Sequence, residues 1–390
     1  MFVDPLFKLM AEKEASDMFF TAGAPIQIKI NGVVMPVNAQ LLDPAAVKTI
    51  AYEVMSELQI KEFEQKLEMN LGVGRAEIGS FRVNVFRQRG AVGMVIRFIK
   101  PTIPTIEDLR LPPILAELVM EKLGMILIVG STGSGKSSSM AAMIDYRNST
   151  RPGHILTIED PMEFSYKHKK SIVNQREVGM DTASYENALV SAMREAPDLL
   201  MIGEIRDRST LQSALLFAQT GHLCLSTLHA NNSYHAMNRI INFFPREARE
   251  ALLADLSISL KCVISQRLVR AKSGGRIPAV EVMLNTAHIA DLIRKGEMGE
   301  IKDAMEKSMA PGSQTFEQAL YRLYASDQIT LEDALANADS ATNLHWLINN
   351  AGKAPAQAPA PGSSSEQAGT PARGGPADDL SSIKLNLDLV

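Results

Sequence analysis

Cysteine is nearly absent: the 390 residues contain two, Cys224 and Cys262, far apart and both in apolar settings. That excludes a disulfide framework and a thiolate metal cluster, and leaves reduced, buried thiols as the expectation. Long hydrophobic runs are missing as well. The longest purely apolar stretches, such as MILIV at 125–129, fall far short of the ~20 residues a membrane span needs. The opening MFVDPLFKLMAEKEASD mixes Asp4, Lys8, Glu12, Lys13 and Glu14 among its apolar residues, which an uninterrupted secretory segment would not do. A cytosolic protein is expected, at most peripheral to a membrane complex. Charge of one sign is not in excess either: the formal net charge is −4, which gives no general attraction to nucleic-acid phosphates. No repeat of solenoid length is visible.

What is present is an ordinary globular balance, 46% hydrophobic and 22% charged, in a chain long enough for two domains and a tail. Residues 5–15 read as an amphipathic helix. IQIKINGVVMPV (26–37) reads as two strands joined at Asn31-Gly32, a strong hairpin signal, followed by a helical stretch near 44–68 and two strands around Gly90 within 80–99. This first, mixed domain ends near residue 100. KPTIPTIEDLRLPP (100–113), with four prolines, is expected to be extended and linker-like. Buried strands at 125–129, in ILTIED, in LLMIG and in LCLSTLH then alternate with helices, the pattern of a mostly parallel α/β sheet. From about 246 to 345 the sequence reads as largely helical. The Ala-, Pro-, Gly- and Ser-rich segment 352–379 has too little apolar surface to fold. The closing IKLNLDLV (383–390) alternates strictly; it is either a strand for a partner's sheet edge or a frayed end.

GSTGSGKSS places Gly130, Gly135, Lys136 and Ser137 in the Gly-x-x-x-x-Gly-Lys-Ser pattern between an expected strand and an expected helix, as a phosphate loop requires. Gly130, Gly133 and Gly135 permit the torsions that turn the N–H groups of the loop, Ser131, Thr132, Ser134 and Ser138 included, toward phosphate oxygens at a helix N-terminus. Lys136 is expected on the β- and γ-phosphates and Ser137 on Mg²⁺. ATP and Mg²⁺ are thus the expected ligands.

Two acidic groups follow strands of the same domain: Glu159, Asp160 and Glu163 in TIEDPMEF, and Glu204 and Asp207 in MIGEIRD. Ligands gather beyond the carboxyl ends of strands in open α/β sheets, so both groups are expected to face the nucleotide. Taken singly, Glu159 or Asp160 is as readily a helix cap or a loop charge. Glu204 stands where a phosphate-loop hydrolase ordinarily has aspartate; its extra methylene suits a contact with Mg²⁺ through water. Glu163 is the candidate to orient or deprotonate the attacking water. His222 and His229 flank the LCLSTL strand without a third ligand at zinc spacing, which leaves structural histidines or a pair that senses the γ-phosphate.

Together these motifs resemble the secretion and pilus motor ATPases, the type II and type IV secretion ATPase superfamily, over residues 1 to about 345. GSTGSGKSS is similar to its Walker A motif, ILTIEDPMEF to its aspartate box, PDLLMIGEIRD to its atypical Walker B, and TGHLCLSTLH to its histidine box. The resemblance implies a PAS-like α+β domain at 1–100 and a RecA-like P-loop ATPase domain with a helical C-terminal part at 114–351; composition adds the linker at 101–113 and a disordered, low-complexity tail at 352–390. It implies Glu163 as catalytic glutamate, Glu204 as Walker B acid, and His222 and His229 as the histidine-box pair. Arg82, Arg97 and Arg110 fall where the family's first domain supplies arginines to a neighbouring subunit of a homo-hexamer.

The absence of a four-cysteine zinc module resembles the retraction branch. HIADLIR (288–294) departs at three positions from the Ala-Ile-Arg-Asn-Leu-Ile-Arg helix of the retraction motor PilT. With AQTGH and TLEDALANADSATNL, it resembles the accessory, PilT-dependent members of that branch. The implied partners are then PilT and the inner-membrane platform protein, at the cytoplasmic base of the pilus. A sole retraction motor, an assembly ATPase, a weakly hydrolysing ring partner of PilT and a nucleic-acid translocase are the alternatives. The missing zinc cysteines oppose the second, the intact Lys136, Glu163 and Glu204 the third, and the acidic balance the fourth.

Overall fold

The computed structural model describes residues 2–30, 32–75, 78–99 and 102–350. The expectations for the tail at 352–390 and its alternating end lie outside the described residues.

The N-terminal part is a six-stranded antiparallel sheet in the order β3-β2-β1-β6-β5-β4, made of β1 (Asp17–Phe20), β2 (Gln27–Ile30), β3 (Val33–Pro36), β4 (Glu68–Arg75), β5 (Gly79–Gln88) and β6 (Ala91–Ile99). The hairpin expected at 31–32 is present, with Ile30 opposite Val33. Helices α1 (Asp4–Glu12), α2 (Pro44–Glu53) and α3 (Glu57–Lys66) accompany it. The stretch read as one helix near 44–68 is two, because Ser56 starts a new helix with a reciprocal capping box to Gln59. Phe7 of α1 stacks on Phe81 of β5 with centroids 4.1 Å apart inside an apolar core. Strand β4 was not expected. Gly72 and Gly74 weaken its strand signal, and Met180 Cε closes over Gly72, 2.8 Å from where a Cβ would lie.

The segment after β6 has no regular structure at 102–105 and turns at 106–110. Thr105 and Asp108 then cap a turn reciprocally, and Ile106 and Leu111 are buried in the core of the second sheet.

That sheet has seven strands in the order β13-β12-β7-β11-β10-β8-β9. They are β7 (Gly124–Val129), β8 (Gly153–Glu159), β9 (Ser171–Glu177), β10 (Leu199–Ile202), β11 (Leu223–Leu228), β12 (Leu260–Arg270) and β13 (Arg276–Leu284). All neighbours are parallel except β13 on β12. Helices α4 (Ile114–Leu118), α5 (Lys136–Thr150), α6 (Tyr185–Ala192), α7 (Arg208–Gln219), α8 (Ser233–Asn242), α9 (Arg249–Ser259), α10 (Ala287–Lys295), α11 (Ile301–Glu306), α12 (Phe316–Ala325), α13 (Leu331–Asn337) and α14 (Ala341–Asn350) complete it. Alternate residues of β7 feed two cores: Met125, Leu127 and Val129 one, Ile126 and Ile128 the other. A sheet buried on both faces needs such continuous apolar strands.

The reading of 246–345 as largely helical is corrected by β12 and β13. Ser265 and Gln266 in β12 look solvent-facing in sequence, but both are buried, Ser265 donating to Glu281 Oε1 and Gln266 accepting from Ser139. Partners supplied across the sheet conceal the strand in the one-dimensional pattern. No helix of the described residues is long and apolar enough to cross a membrane.

Candidate functional site

Because β7, β8, β10 and β11 run parallel and nearly in register, their carboxyl ends deliver residues 130, 159, 203 and 229 to one edge of the sheet. Gly130 leaves β7, and α5 begins at Lys136. Gly133 and Gly135 have φ of +77° and +92°, a region other residues rarely adopt. A Cβ on Gly135 would also approach Gln266 Nε2 to 2.7 Å, and one on Gly130 would approach Gln266 O to 2.6 Å, so β12 presses on the loop from beside it. Lys136 is buried, its Nζ donating to Gly130 O and Ser131 O, each at 2.9 Å. Burial lowers its pKa from the ordinary lysine value, and the charges of Glu204 and Glu163 oppose that shift.

Ser137 Oγ donates to Glu163 Oε1 at 2.8 Å, which brings the expected Mg²⁺ hydroxyl and the expected water-orienting carboxylate together. Glu204, nearly buried, lies with Oε1 3.3 Å from His229 Nε2 and accepts from Arg206 Nε at 2.8 Å through Oε2. Arg206 also donates to Asp160 at 3.2 Å. Thr132, Gly133, Lys136, Ser137, Glu159, Asp160, Glu163, Glu204 and His229 line one cavity of ≈250 Å³. A second cavity of ≈440 Å³ opens on the other side of the loop, where Gly135, Ser138 and Ser139 meet Asp108, Leu109, Arg110, Leu268, Arg276, Ile277 and Pro278.

Other expected residues lie elsewhere. Asp207 caps α7, accepting from Thr210 N at 2.8 Å, so the expectation that it faces the nucleotide is corrected. His222 stands at the opposite end of β11 from His229, a strand length of ~20 Å away, where its ring packs edge-on against Phe217. Arg97 pairs with Asp17 and Arg82 with Glu177, each at 2.9 Å. Arg110 lines the second cavity. Ser134 is buried in the loop itself.

Several contacts that support the site are not written in the sequence, although Glu159 itself belongs to the acidic group expected there. Glu159 is 5% exposed and accepts from Thr157 Oγ1 and Gln175 Nε2; burial pushes its carboxyl up to about 7. Gln175 also donates to Phe164 O and accepts from Tyr166 N, and Glu177 accepts from Met162 N, so β9 holds the segment that carries Glu163. Nothing in SIVNQRE signals this. Arg206, by contrast, stands two residues after Glu204 in the quoted motif and was overlooked.

The donor set suits Mg²⁺. A hydroxyl and two carboxylates are hard oxygen ligands, and no cluster of three or more His, Cys, Asp or Glu able to cage a metal exists among the described residues. That is the arrangement for an ion held chiefly by nucleotide phosphates and water.

Comparisons with known proteins agree with this geometry. The profile of the family described as Type II/IV secretion system protein matches residues 1–323. The Type IV pilus ATPase PilU of Pseudomonas aeruginosa is 51% identical over 346 residues, 88% of this chain and 91% of that protein. The type IV pilus retraction ATPase PilT of the same organism is 38% identical over 344 residues, 88% of this chain and 100% of that one. Among solved structures, the pilus retraction motor PilT with bound ADP superposes with a TM-score of 0.81 at 41% identity, covering 87% of this chain and 98% of that one. A profile match that takes in both sheets and the whole cavity places the chain in the Type II/IV secretion system protein family.

Proposed function

We propose that this chain is a type IV pilus retraction ATPase that hydrolyses ATP in the cavity bounded by Lys136, Ser137, Glu163 and Glu204. The observation that carries the reading is the meeting of phosphate loop, Glu163, Glu204 and His229 at one edge of a parallel sheet, in a chain half identical to a pilus ATPase. Backbone N–H groups of the loop and the Lys136 ammonium take the β- and γ-phosphates. Mg²⁺, held by Ser137 and through water by Glu204, would neutralise charge on the transferred phosphoryl group. Glu163 orients the attacking water and accepts its proton. His229, beside Glu204, registers the γ-phosphate at the end of β11. The second cavity, apolar at Leu109, Leu268, Ile277 and Pro278, takes the nucleoside.

We assign the chain to a homo-hexameric ring at the cytoplasmic base of the pilus, acting with PilT on the inner-membrane platform protein. Arg97, with 61% of its side chain exposed, is the expected arginine best placed to reach a neighbouring subunit. In α10, Asp291 pairs with both Arg294 and Lys295, which mutes the positive face that the Ala-Ile-Arg-Asn-Leu-Ile-Arg helix presents and supports an accessory role. The domain limits 1–100, 101–113 and 114–351 belong to the same reading.

The test is phosphate release by the purified protein, with pilus retraction followed by fluorescence microscopy in cells where this chain is the retraction-branch motor. Lys136→Ala and Glu204→Ala are each expected to lower turnover at least ~100-fold, and Lys136→Ala to weaken nucleotide binding as well. Retraction restored only when PilT is supplied supports the accessory role. Near-normal phosphate release from Glu204→Ala would overturn the site assignment.

A further inference from the structure

Strand registers put Gly72, Arg82, Arg97 and Asp17 in one row across the first sheet. Arg82 and Arg97 are therefore directly opposed, and like charges so placed repel unless each has its own counter-ion. Arg97 has Asp17, at 2.9 Å. Arg82 finds its anion in the other sheet: Nη2 lies 2.9 Å from Oε1 of Glu177, the last residue of β9. Glu177 is 2% exposed. Its Oε1 makes no well-directed hydrogen bond, so the contact is ionic, and Arg82 is its recorded salt-bridge partner.

The other oxygen, Oε2, accepts from Met162 N at 3.0 Å, the backbone group immediately before Glu163. The turn after β9 is held to the same residue, with Asp181 N donating to Glu177 O and Glu177 N to Asp181 Oδ2, both at 2.8 Å. Met180 of that turn closes over Gly72, the cross-strand neighbour of Arg82. One carboxylate thus joins a cation of the first sheet to the backbone that aims Glu163.

We infer that Glu177 is a positioning residue for hydrolysis and that Arg82 controls it: while Arg82 sits on Glu177, the 160–166 segment is fixed and Glu163 is held on Ser137. Withdrawal of Arg82 leaves a buried carboxylate without a counter-charge, a state that proteins relieve by letting water in or rotating the group outward, and either loosens Met162 and Glu163. The position of the first sheet is thereby read directly at the water-orienting carboxylate. This rests on the reading of Glu163 given above, and it gives Arg82 a partner within its own chain, where the family resemblance expected service to a neighbouring subunit.

A double-mutant cycle on the full-length protein tests it, with ATP turnover and amide hydrogen exchange of residues 160–166 as paired readouts. Arg82→Ala is expected to lower kcat by about 10- to 100-fold, the usual cost of a misplaced catalytic group, with KM for ATP near its wild-type value, and to speed exchange at Met162. Glu177→Gln removes the charge yet keeps an acceptor for Met162 N. The double variant Arg82→Ala/Glu177→Gln should therefore recover both turnover and exchange protection relative to Arg82→Ala alone. Arg82→Lys, which keeps the charge, should retain most activity and covers the case in which Arg82→Ala folds poorly. A double variant as impaired as Arg82→Ala, the result expected of an arginine whose work is on a neighbour's nucleotide, overturns the inference. So does an Arg82→Ala protein with wild-type kcat and exchange. If exchange follows the expected pattern while turnover is unchanged in every variant, Glu163→Gln included, the assignment of Glu163 falls and the Arg82–Glu177 latch stands.

Discussion

Glu159 gives the sharpest prediction about pH. Its carboxyl is 5% exposed at the end of β8, facing Thr157 and Gln175, which donate to Oε1 at 2.7 and 3.2 Å, and the charge of nearby Glu163. Desolvation is the dominant influence and raises its pKa from 4.5 to about 7; the hydrogen bonds from Thr157, Gln175 and the Glu163 backbone lower it, but by less. Such a gap between unfolded and folded states corresponds to about 3 kcal/mol at full effect. Below pH 4.5 the carboxyl is protonated in both states and costs nothing. Between 4.5 and about 7 the unfolded chain ionises first, so stability is lost as pH rises, and above about 7 the loss is constant. Glu159→Gln keeps the shape and an oxygen for Thr157 and Gln175 while removing the ionisation. Its stability relative to wild type should be near zero or slightly negative at pH 4.5 and should improve by about 3 kcal/mol by pH 8. Thermal unfolding of both proteins at pH 5 and pH 8 in one salt concentration reads this as a Tm difference several degrees larger at pH 8. An equal difference at both pH values, or a larger one at pH 5, would refute the reasoning.

Three further outcomes follow from the geometry. Glu204→Asp shortens the side chain by one methylene and draws it from His229 Nε2, now 3.3 Å away; turnover measured by phosphate release should fall by about tenfold or more, and a wild-type rate would mean that the longer acid is dispensable. Gly203→Ala places a Cβ 2.8 Å from Tyr185 Oη and 3.4 Å from Ile158 O, so thermal unfolding should register a loss of about 1–3 kcal/mol, and an unchanged Tm would show that Tyr185 moves freely. Both cysteines are wholly buried, with burial pushing the Cys224 thiol up to about 12 and Cys262 higher still; mass spectrometry should find neither alkylated by iodoacetamide at pH 8 in the native protein and both alkylated in denaturant.

The parts of the site that were legible in the sequence are those whose chemistry is written in consecutive residues. The phosphate loop needs its glycines, lysine and serine at fixed spacing, β7 and β10 are buried runs without polar interruption, and β11 is fully buried with Ser226 and Thr227 as its polar members. Glu163 and Glu204 could be placed because carboxyl ends of parallel strands converge. Residues that work through partners distant in sequence were not legible. Gln175 and Glu177 look like ordinary polar residues of a short segment until β8 pairs with β9 and turns them onto the Glu163 loop. Ser265 and Gln266 suggested no strand because Glu281 and Ser139, which satisfy them, lie on β13 and α5. Asp207 was misread for the opposite reason: its partner, Thr210 N, is so local that a helix cap took the place of the expected ligand.

The glutamate at 204 shows how the sheet decides a residue type. The chain turns at Gly203, whose N–H donates to Ile158 O and whose carbonyl accepts from Thr227 Oγ1, so the backbone there is tied to both neighbouring strands. Tyr185 Oη stands 2.8 Å, and the Glu159 Cα 3.4 Å, from where a Cβ at 203 would lie, so a side chain there has to displace Tyr185. The next residue must therefore reach the cavity from a backbone fixed at the sheet edge, between Arg206 on its own loop and His229 at the end of β11. A carboxylate on two methylenes meets both at once, one oxygen to each. Arg206 in turn holds Asp160, so the acid after β10 is connected electrostatically to the segment after β8 that carries Glu163. Glu177 holds the same segment two residues further on, at Met162 N, so the backbone that leads into Glu163 is tied both to the acid after β10 and to the end of β9, and a displacement of either the first sheet or the His229 end of β11 is passed to it.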